Sequence, residues 1–167
     1  MYSLRKQINS LLDHKFWKKS ENICTQYFKI CDLCDKTYNK GMVLIQIGSF
    51  FEAYGIDNKY TKKGHANLVS SLFNMAITRR NKKKYAEELG NRKIEDLTKG
   101  NLIDLHTRYC LMSGMNDIVI EKYLRIAIEN GYTVILIEQV EQPTKGTMVK
   151  VLFEPNAKLS DSLTYDI

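Results

Sequence analysis

Residues 42–47 have the sequence Met-Val-Leu-Ile-Gln-Ile, a short apolar run rich in β-branched side chains. Such a run, apolar at nearly every position, is typical of a β-strand that is covered on both faces. Residues 133–137 (TVILI) have the same character, and residues 148–153 predict a third strand. Because these runs are far apart in the chain, the sequence predicts a sheet assembled from distant segments.

Amphipathic helices are predicted between and before these strands. Apolar side chains recur at three- and four-residue steps in residues 3–18, 22–38, 66–76 and 121–130. Residues 80–108 are more polar, and we expect an elaborated loop with one short helix there. Helices that alternate with buried strands predict an α/β domain in which helices flank a central mixed β-sheet.

Length and composition restrict the class of protein. The chain has 167 residues, 44% of them hydrophobic and 26% charged, which suits one compact domain and excludes an intrinsically disordered chain. It contains no run of about 18 apolar residues, so no transmembrane helix is predicted. The charged N-terminus does not resemble a secretory signal. We expect an intracellular protein without a membrane partner, in the cytoplasm, a nucleoid, an organelle or a virus-infected cell.

Positive charge is concentrated in one short segment. The 25 Lys and Arg residues exceed the 19 Asp and Glu residues, which gives a net charge of +6. Five of these cations follow Thr78 within six consecutive positions: Arg79, Arg80, Lys82, Lys83 and Lys84. Such a run is either a solvated loop or a loop that contacts phosphates, and a net positive charge alone does not decide between them.

Four cysteines, at positions 24, 31, 34 and 110, suggest a reducing compartment in a chain without a secretory signal. Cys31 and Cys34 have CxxC spacing, but they also continue the apolar stripe of the helix predicted over residues 22–38. The favoured interpretation is therefore a helix core in which cysteine acts as a small hydrophobe. A zinc site is the alternative, and its fourth ligand would be His14, His65, His106 or Cys110.

Motifs of the common catalytic classes are absent from the sequence. It contains no GxxxxGK[ST] phosphate loop, no GxGxxG motif and no nucleophile elbow. A metal-dependent nuclease stays open as an alternative, because several acidic residues lie near predicted strand ends: Glu52, Asp57, Glu138 and Glu141. We expect no catalytic residue and no bound metal in this chain.

Four ordered segments resemble one known family. They are residues 25–30 (TQYFKI), 47–54 (IGSFFEAY), 76–80 (AITRR) and 112–143, which begins with MSG and ends with GYTVILIEQVEQP. They are similar to the N-terminal mismatch-recognition domain of the MutS family of DNA mismatch-repair proteins. That family has Gly-Asp-Phe-Tyr-Glu, Met-Ala-Gly and Gly-Tyr-x-Val-x-x-x-Glu-Gln-x-x-x-Pro segments.

The resemblance implies a domain organisation. Residues 23–155 would form the mismatch-recognition domain, residues 1–22 an additional N-terminal helical arm, and residues 156–167 the start of a linker. The linker would lead to the connector domain of a longer ATPase that forms a homodimer. ATP and magnesium would bind to other domains of that protein, and this chain would need no cofactor. The chain departs from the family at residues 116–118, where the family usually has Pro-Tyr-His, and in the greater length of residues 81–108.

The resemblance also implies a partner, duplex DNA with mispaired or unpaired bases, and a set of site residues. Phe50 would be an aromatic wedge, Glu52 would hydrogen-bond the displaced base, and Phe51 would pack in the core. Met112 and Gly114 would support the wedge. The DNA backbone would be held by Thr78, Arg79, Arg80, Lys82, Lys83 and Lys84.

Two further interpretations compete with this one. Ser49-Phe50-Phe51-Glu52 matches the S-x-x-E capping box, so that Glu52 would cap the start of a helix. The chain would also fit a protein-interaction module that keeps the fold but does not use the wedge.

Overall fold

A computed structural model describes residues 6–8, 23–139, 148–153 and 165–166 of the chain. Within these residues the longer helices are α1 (Ile23–Thr37), α2 (Ala66–Phe73), α3 (Lys82–Leu89), α4 (Lys99–Arg108) and α5 (Ile120–Glu129). The strands are β1 (Gly41–Ile47), β2 (Phe50–Asp57), β3 (Lys62–Gly64), β4 (Thr78–Arg79), β5 (Leu111–Asn116), β6 (Thr133–Gln139), β7 (Met148–Phe153) and β8 (Tyr165–Asp166).

The strands form one mixed sheet in the order β4-β5-β2-β1-β6-β7-β8, and β3 pairs with β2. β1 and β6 run parallel, with Gly41 opposite Thr133 and Ile45 opposite Ile137, whereas the other described pairs are antiparallel. β1 therefore lies in the middle of the sheet, which explains why nearly all of its side chains are apolar. The predicted mixed sheet is confirmed.

Helices cover both faces of this sheet. On one face, the Tyr27 hydroxyl of α1 donates a hydrogen bond to the Val43 carbonyl at 2.7 Å, and its ring packs on Tyr54 with centroids 5.3 Å apart. Successive strand residues point to opposite faces, so Gly55 of β2 faces the other side. There it lies under the start of α2, where a Cβ atom on Gly55 would be 3.0 Å from the Ala66 Cβ atom. The predicted α/β class, with helices flanking the sheet, is therefore confirmed.

The prediction of a loop with one short helix over residues 80–108 is wrong. The segment contains α3, a 3₁₀ turn at Ile94–Asp96 and α4, whose first turn is capped by the Thr98 hydroxyl. These elements enclose a small hydrophobic core of their own, made of Leu97, Leu102 and Leu105 with Tyr85, Leu89 and Tyr109 around them. Each helix contributes only two or three of these side chains, which is too few to produce a clear periodic pattern in the sequence.

The helix predicted over residues 66–76 is shorter than expected. α2 ends at Phe73 because Asn74 adopts a left-handed conformation with φ of 53°. Asparagine is one of the few residues other than glycine that tolerate this conformation at a helix end. The helices predicted over 22–38 and 121–130 are confirmed, and so are the strands predicted at 42–47, 133–137 and 148–153.

The capping-box interpretation of Ser49 and Glu52 is wrong, because Phe50–Asp57 is a strand and not a helix. Gly48 has a positive φ of 61° and forms a two-residue turn with Ser49. Glycine favours such tight hairpin turns. The chain reverses there and places Phe50 directly opposite Ile47.

The cysteines divide into two pairs. Cys31 and Cys34 are buried free thiols in α1, as the helix-core interpretation predicts. Cys24 and Cys110 form a disulfide that joins α1 to the residue before β5, so the expectation of reduced cysteines is wrong for this pair. Nothing in the sequence spacing indicated that these two residues meet. Among the described residues, no group of three His, Cys, Asp or Glu side chains could hold a metal ion.

The predicted terminal segments are described only in part. Residues 6–8 are helical, and Ile8 is buried in the main core cluster. The rest of the predicted N-terminal helix lies outside the described residues. At the other end, β8 pairs with β7, and most of the predicted linker is likewise outside the described residues. No described helix is long and apolar enough to cross a bilayer.

Two glycine substitutions are expected to change stability in opposite directions. A Cβ atom on Gly114 would collide with the Phe51 carbonyl oxygen and lie 2.9 Å from the Glu52 Cα atom, both rigid parts of β2. We expect Gly114→Ala to lower the free energy of unfolding by about 2–3 kcal/mol. The control is Gly100→Ala in α4, where the added methyl group meets no atom within 4 Å.

Alanine at position 100 should raise the free energy of unfolding by about 0.5 kcal/mol, because it restricts the unfolded chain more than glycine does. Urea denaturation of both variants measures the two effects. Equal stabilities of the Gly114→Ala variant and the wild-type chain would contradict the close approach of β5 to β2.

Candidate nucleic-acid interface

The β1–β2 hairpin presents one exposed aromatic side chain. Phe50 is the first residue of β2 and is 48% exposed, whereas Phe51 is only 3% exposed and belongs to the main core. The two rings point to opposite faces of the sheet, and Phe50 is exposed because it lies at the end of the strand, whereas Tyr54 further along the same face is buried. The expectation that Phe51 packs in the core is confirmed, and Phe50 is left free at the end of the sheet.

A short 3₁₀ turn next to the hairpin adds further exposed apolar surface. The Asp117 amide donates a hydrogen bond to the Ser49 carbonyl at 2.8 Å, which ties residues 117–119 to the hairpin turn. Ile118 in this turn is 86% exposed. We call this surface the tip; its members are Ile47, Phe50, Ile118 and Val119. Sequence reasoning missed Ile118, because it is followed by Val119 and Ile120 and the sequence does not show which of these apolar residues is exposed.

Glu52 lies beside the tip, on the same face of the sheet as Phe50 and Tyr54. It is half-buried, and its Oε2 atom accepts a hydrogen bond from the Tyr54 hydroxyl at 2.5 Å. Burial raises the pKa of the Glu52 carboxyl, while the Tyr54 hydrogen bond and the positive charge of Arg80 lower it in part. The net result is a raised pKa, so Glu52 binds a proton more readily than an exposed glutamate does.

Met112 and Gly114, expected to support the wedge, lie on the neighbouring strand β5. Gly114 is opposite Glu52 and Met112 is opposite Tyr54, whereas the residue opposite Phe50 is Asn116. The two residues thus lie beside the carboxyl and the tyrosine rather than directly beside the aromatic ring. The close backbone approach at Gly114 leaves no room for a side chain next to Glu52.

The basic run divides into residues with different surroundings. Arg79 is engaged in the fold: its Nη1 atom donates to the Tyr109 carbonyl at 2.7 Å, and its guanidinium lies 4.4 Å from the Tyr85 ring centroid. Burial lowers the pKa of Arg79. Arg80 is half-buried with its guanidinium 6.0 Å from the Tyr54 ring centroid. The exposed members are Thr78, Lys82, Lys83 and Lys84.

The strand register gives the spacing between the basic run and the tip. Thr78 is opposite Met112 and Phe50 is opposite Asn116, so the two sites are four residues apart along β5. At about 3.3 Å per residue this is roughly 13 Å along the strand, and the two strand spacings between β4 and β2 add about 10 Å across the sheet, so the two sites are about 16 Å apart. That distance corresponds to about five steps of 3.4 Å along B-form DNA.

A cleft of about 920 Å³ lies beside the basic run, between α4 and the start of α1. Arg80 and Lys84 line it, together with Arg108 of α4. Arg108 is neutralised locally, because its Nη1 atom donates to Glu88 at 2.7 Å and its Nη2 atom lies 2.9 Å from Asp104. Arg80 and Lys84 are therefore the cations that this cleft offers to an anion.

The acidic residues considered for a nuclease site are spread over the sheet. Glu52 and Asp57 lie at opposite ends of β2, and Glu138 lies on β6, beyond β1. Burial raises the pKa of Glu138, which lies next to Gln139, the last residue of β6. Glu141 lies outside the described residues.

These features define a mixed α/β domain with an exposed aromatic hairpin and a nearby basic segment. No family model matches the chain. It is similar to the putative DNA mismatch repair protein mutS homolog L359 of Acanthamoeba polyphaga mimivirus, with 32% identity over 152 residues. The match covers 86% of this chain and 11% of that protein, so the chain spans about a ninth of its relative's length. The similarity supports a relationship to MutS-like proteins.

The raised pKa of Glu52 predicts a pH-dependent effect on stability. A carboxyl whose pKa is higher in the folded than in the unfolded chain binds more protons when folded, so stability falls as pH rises through that interval. We expect Glu52→Gln to be more stable than the wild-type chain at neutral pH. The difference should disappear below the pKa of the unfolded carboxyl, where both states are protonated.

Denaturation by urea at acidic and neutral pH measures this difference. Glu129→Gln is the matched control, because Glu129 is exposed on α5. A Glu52→Gln variant whose stability relative to the wild-type chain is the same at both pH values would contradict the raised pKa.

Proposed function

We propose that this chain is a non-catalytic DNA-binding module of a MutS-like mismatch-repair protein, and that it recognises mispaired or unpaired bases by inserting Phe50. The observation that carries the proposal is the exposed aromatic ring at the end of a rigid hairpin, with a half-buried carboxyl two residues away. The similarity to a putative mismatch repair protein supports the biological setting.

The wedge would discriminate through the deformability of the DNA. Inserting an apolar side chain between base pairs costs about a few kcal/mol per step. Stacking of an aromatic ring on a base returns roughly 1–3 kcal/mol. If these contributions nearly cancel at a matched base-pair step, a mispaired step that costs about 1.5–3 kcal/mol less to open makes its duplex bind about 10- to 100-fold more tightly. No sequence-specific contact is needed.

Glu52 would hydrogen-bond the displaced base. A carboxylate beside DNA is repelled by the phosphates, but a neutral carboxyl can donate a hydrogen bond to a base nitrogen or oxygen. The raised pKa of Glu52 in the free protein favours this neutral form. Approach of the negatively charged backbone would raise that pKa further, because a nearby like charge disfavours ionisation.

The DNA backbone would be held by the exposed part of the basic run. Lys82, Lys83 and Lys84 are exposed, Thr78 offers a hydroxyl, and Arg80 faces the cleft. Arg79 would contribute by fixing this segment to Tyr109 and Tyr85, not by direct contact with phosphate. Such contacts fix the position of the duplex without reading its sequence.

The rest of the activity would belong to a longer protein. We propose that ATP and magnesium bind in other domains of that protein, that it acts as a homodimer, and that residues 23–155 form its mismatch-recognition domain. On this proposal the isolated chain contributes one wedge and binds DNA weakly.

The wedge is tested by fluorescence anisotropy at low salt, using a matched duplex and duplexes with a G·T pair or one unpaired T. We expect the wild-type chain to bind the mispaired duplexes about 10- to 100-fold more tightly. Phe50→Ala should remove this preference and leave binding to the matched duplex nearly unchanged. Tyr60→Ala is the matched control, because Tyr60 is an exposed aromatic residue beyond the other end of β2.

A wild-type chain that binds matched and mispaired duplexes alike, with no effect of Phe50→Ala, would contradict the proposal. Binding of another protein in place of DNA would favour the protein-interaction module. Metal-dependent nicking of either duplex that disappears with Glu52→Gln would favour the nuclease.

The basic run is tested by the salt dependence of binding to the matched duplex. Each lysine–phosphate contact contributes about 0.9 to the slope of log K against log salt concentration. The double variant Lys82→Gln/Lys83→Gln should therefore reduce the slope by about 1.8 and weaken binding to all duplexes equally.

The double variant Lys62→Gln/Lys63→Gln removes the same charge from exposed positions on β3 and is the control. If both double variants reduce the slope equally, net charge and not the basic run controls binding.

A further inference from the structure

Tyr54 is the residue that fixes the Glu52 side chain. Its ring is buried under α1, where it meets the Tyr27 ring at a centroid distance of 5.3 Å. Its hydroxyl reaches out of this core and donates a hydrogen bond to Glu52 Oε2 at 2.5 Å. The donor is thus held by the packing of the core, while the acceptor lies next to the exposed tip.

This hydrogen bond makes the two oxygens of Glu52 unequal. Oε2 accepts from Tyr54, whereas Oε1 has no hydrogen-bond partner within the part of the chain that the structure describes. In a neutral carboxyl the carbonyl oxygen is the better acceptor and the hydroxyl oxygen carries the proton. A donor fixed on Oε2 therefore keeps Oε2 as the carbonyl oxygen and leaves the proton on Oε1.

We infer that Tyr54 is a positioning residue for mismatch recognition, which directs the Glu52 proton to Oε1 and aims it at the displaced base. This inference rests on the proposed function and adds a residue to it. Phe50 opens the base-pair step, Glu52 donates a hydrogen bond to the displaced base, and Tyr54 determines which carboxyl oxygen of Glu52 carries the donated proton. Sequence analysis did not single out Tyr54 for any role.

The surroundings of Glu52 contain few other charges. From its own strand it meets the Tyr54 hydroxyl, and beyond β5 the nearby cation is Arg80 at the end of β4. The residues opposite it, Ile45 on β1 and Gly114 on β5, are uncharged. Because the Tyr54 hydroxyl also interacts with Arg80, a change in the Glu52 titration in Tyr54→Phe reports the loss of the hydroxyl's contacts with both Glu52 and Arg80.

The test is Tyr54→Phe, which removes the hydroxyl and keeps the ring. Tyr27→Phe is the matched control, because Tyr27 is an equally buried tyrosine of the same core whose hydroxyl bonds to the Val43 carbonyl instead. Two quantities are measured from about pH 5 to about pH 8. The first is the Glu52 carboxyl carbon shift in the free protein, and the second is the preference for a duplex with one unpaired T over the matched duplex.

We expect Tyr54→Phe to move the Glu52 titration to higher pH, since the lost hydrogen bond stabilised the carboxylate. The mismatch preference at low pH should fall about three- to tenfold, the effect of one lost hydrogen bond. The mismatch preference should decline with rising pH, and the midpoint of this decline should shift together with the midpoint of the Glu52 titration. Tyr27→Phe should leave both midpoints unchanged, even if it lowers the stability of the fold.

Three results would overturn the inference. An unchanged Glu52 titration in Tyr54→Phe would show that the hydroxyl does not act on the carboxyl. A shifted titration with an unchanged mismatch preference would refute the positioning role and leave the proposed function intact, provided that Phe50→Ala still removes the preference. A wild-type chain without any mismatch preference would refute the proposed function and the role of Tyr54 with it.

Discussion

The arrangement of the site depends on the register of the β1–β2 hairpin. Gly48 takes up a positive φ, the turn has two residues, and Phe50 is consequently paired with Ile47. Because side chains alternate along a strand, Phe50, Glu52 and Tyr54 share one face of β2 and Phe51 points to the other, and the register determines which face of the sheet each set occupies. A shift by one residue would move all of these side chains to the opposite face, so that Tyr54 would leave its place under α1 and Phe51 would leave the core.

The site combines a rigid support with a small reactive surface. The hairpin is fixed on one side by β5, which pairs with β2, and by the turn that follows, whose Asp117 amide donates to the Ser49 carbonyl. The core around Phe51 supports it from behind. Because the hairpin backbone that carries the Phe50 ring is already held in place, it loses little conformational freedom when the ring binds DNA. The half-buried carboxyl and the lysines add a neutral hydrogen-bond donor and a long-range attraction. Each of these three contributions to binding is modest, but the carboxyl and the ring on β2 and the lysines on α3 are close enough to act on one duplex.

Much of the fold could be predicted from the sequence, because buried strands appear as short apolar runs and amphipathic helices as apolar residues at three- and four-residue steps. The strands that carry the site could not, since β2 mixes aromatic, polar and glycine residues and begins like a capping box, and β5 mixes glycine and polar residues with leucine and methionine. The packing around Leu102 and the Cys24–Cys110 disulfide depend on tertiary contacts that no local pattern encodes. The resemblance to MutS proteins singled out Phe50 and Glu52, whereas Tyr54 and Ile118 emerged only from the structure.

The central claim is that Phe50 enters the base stack at a mispaired step. The most direct measurement places the fluorescent base 2-aminopurine next to one unpaired T and follows its emission as the protein binds. Insertion predicts that emission rises at saturation with the wild-type chain, because the base loses its stacked neighbour, and that it stays low with Phe50→Ala. The same emission change with both proteins, or no change with either at saturation, would contradict the account.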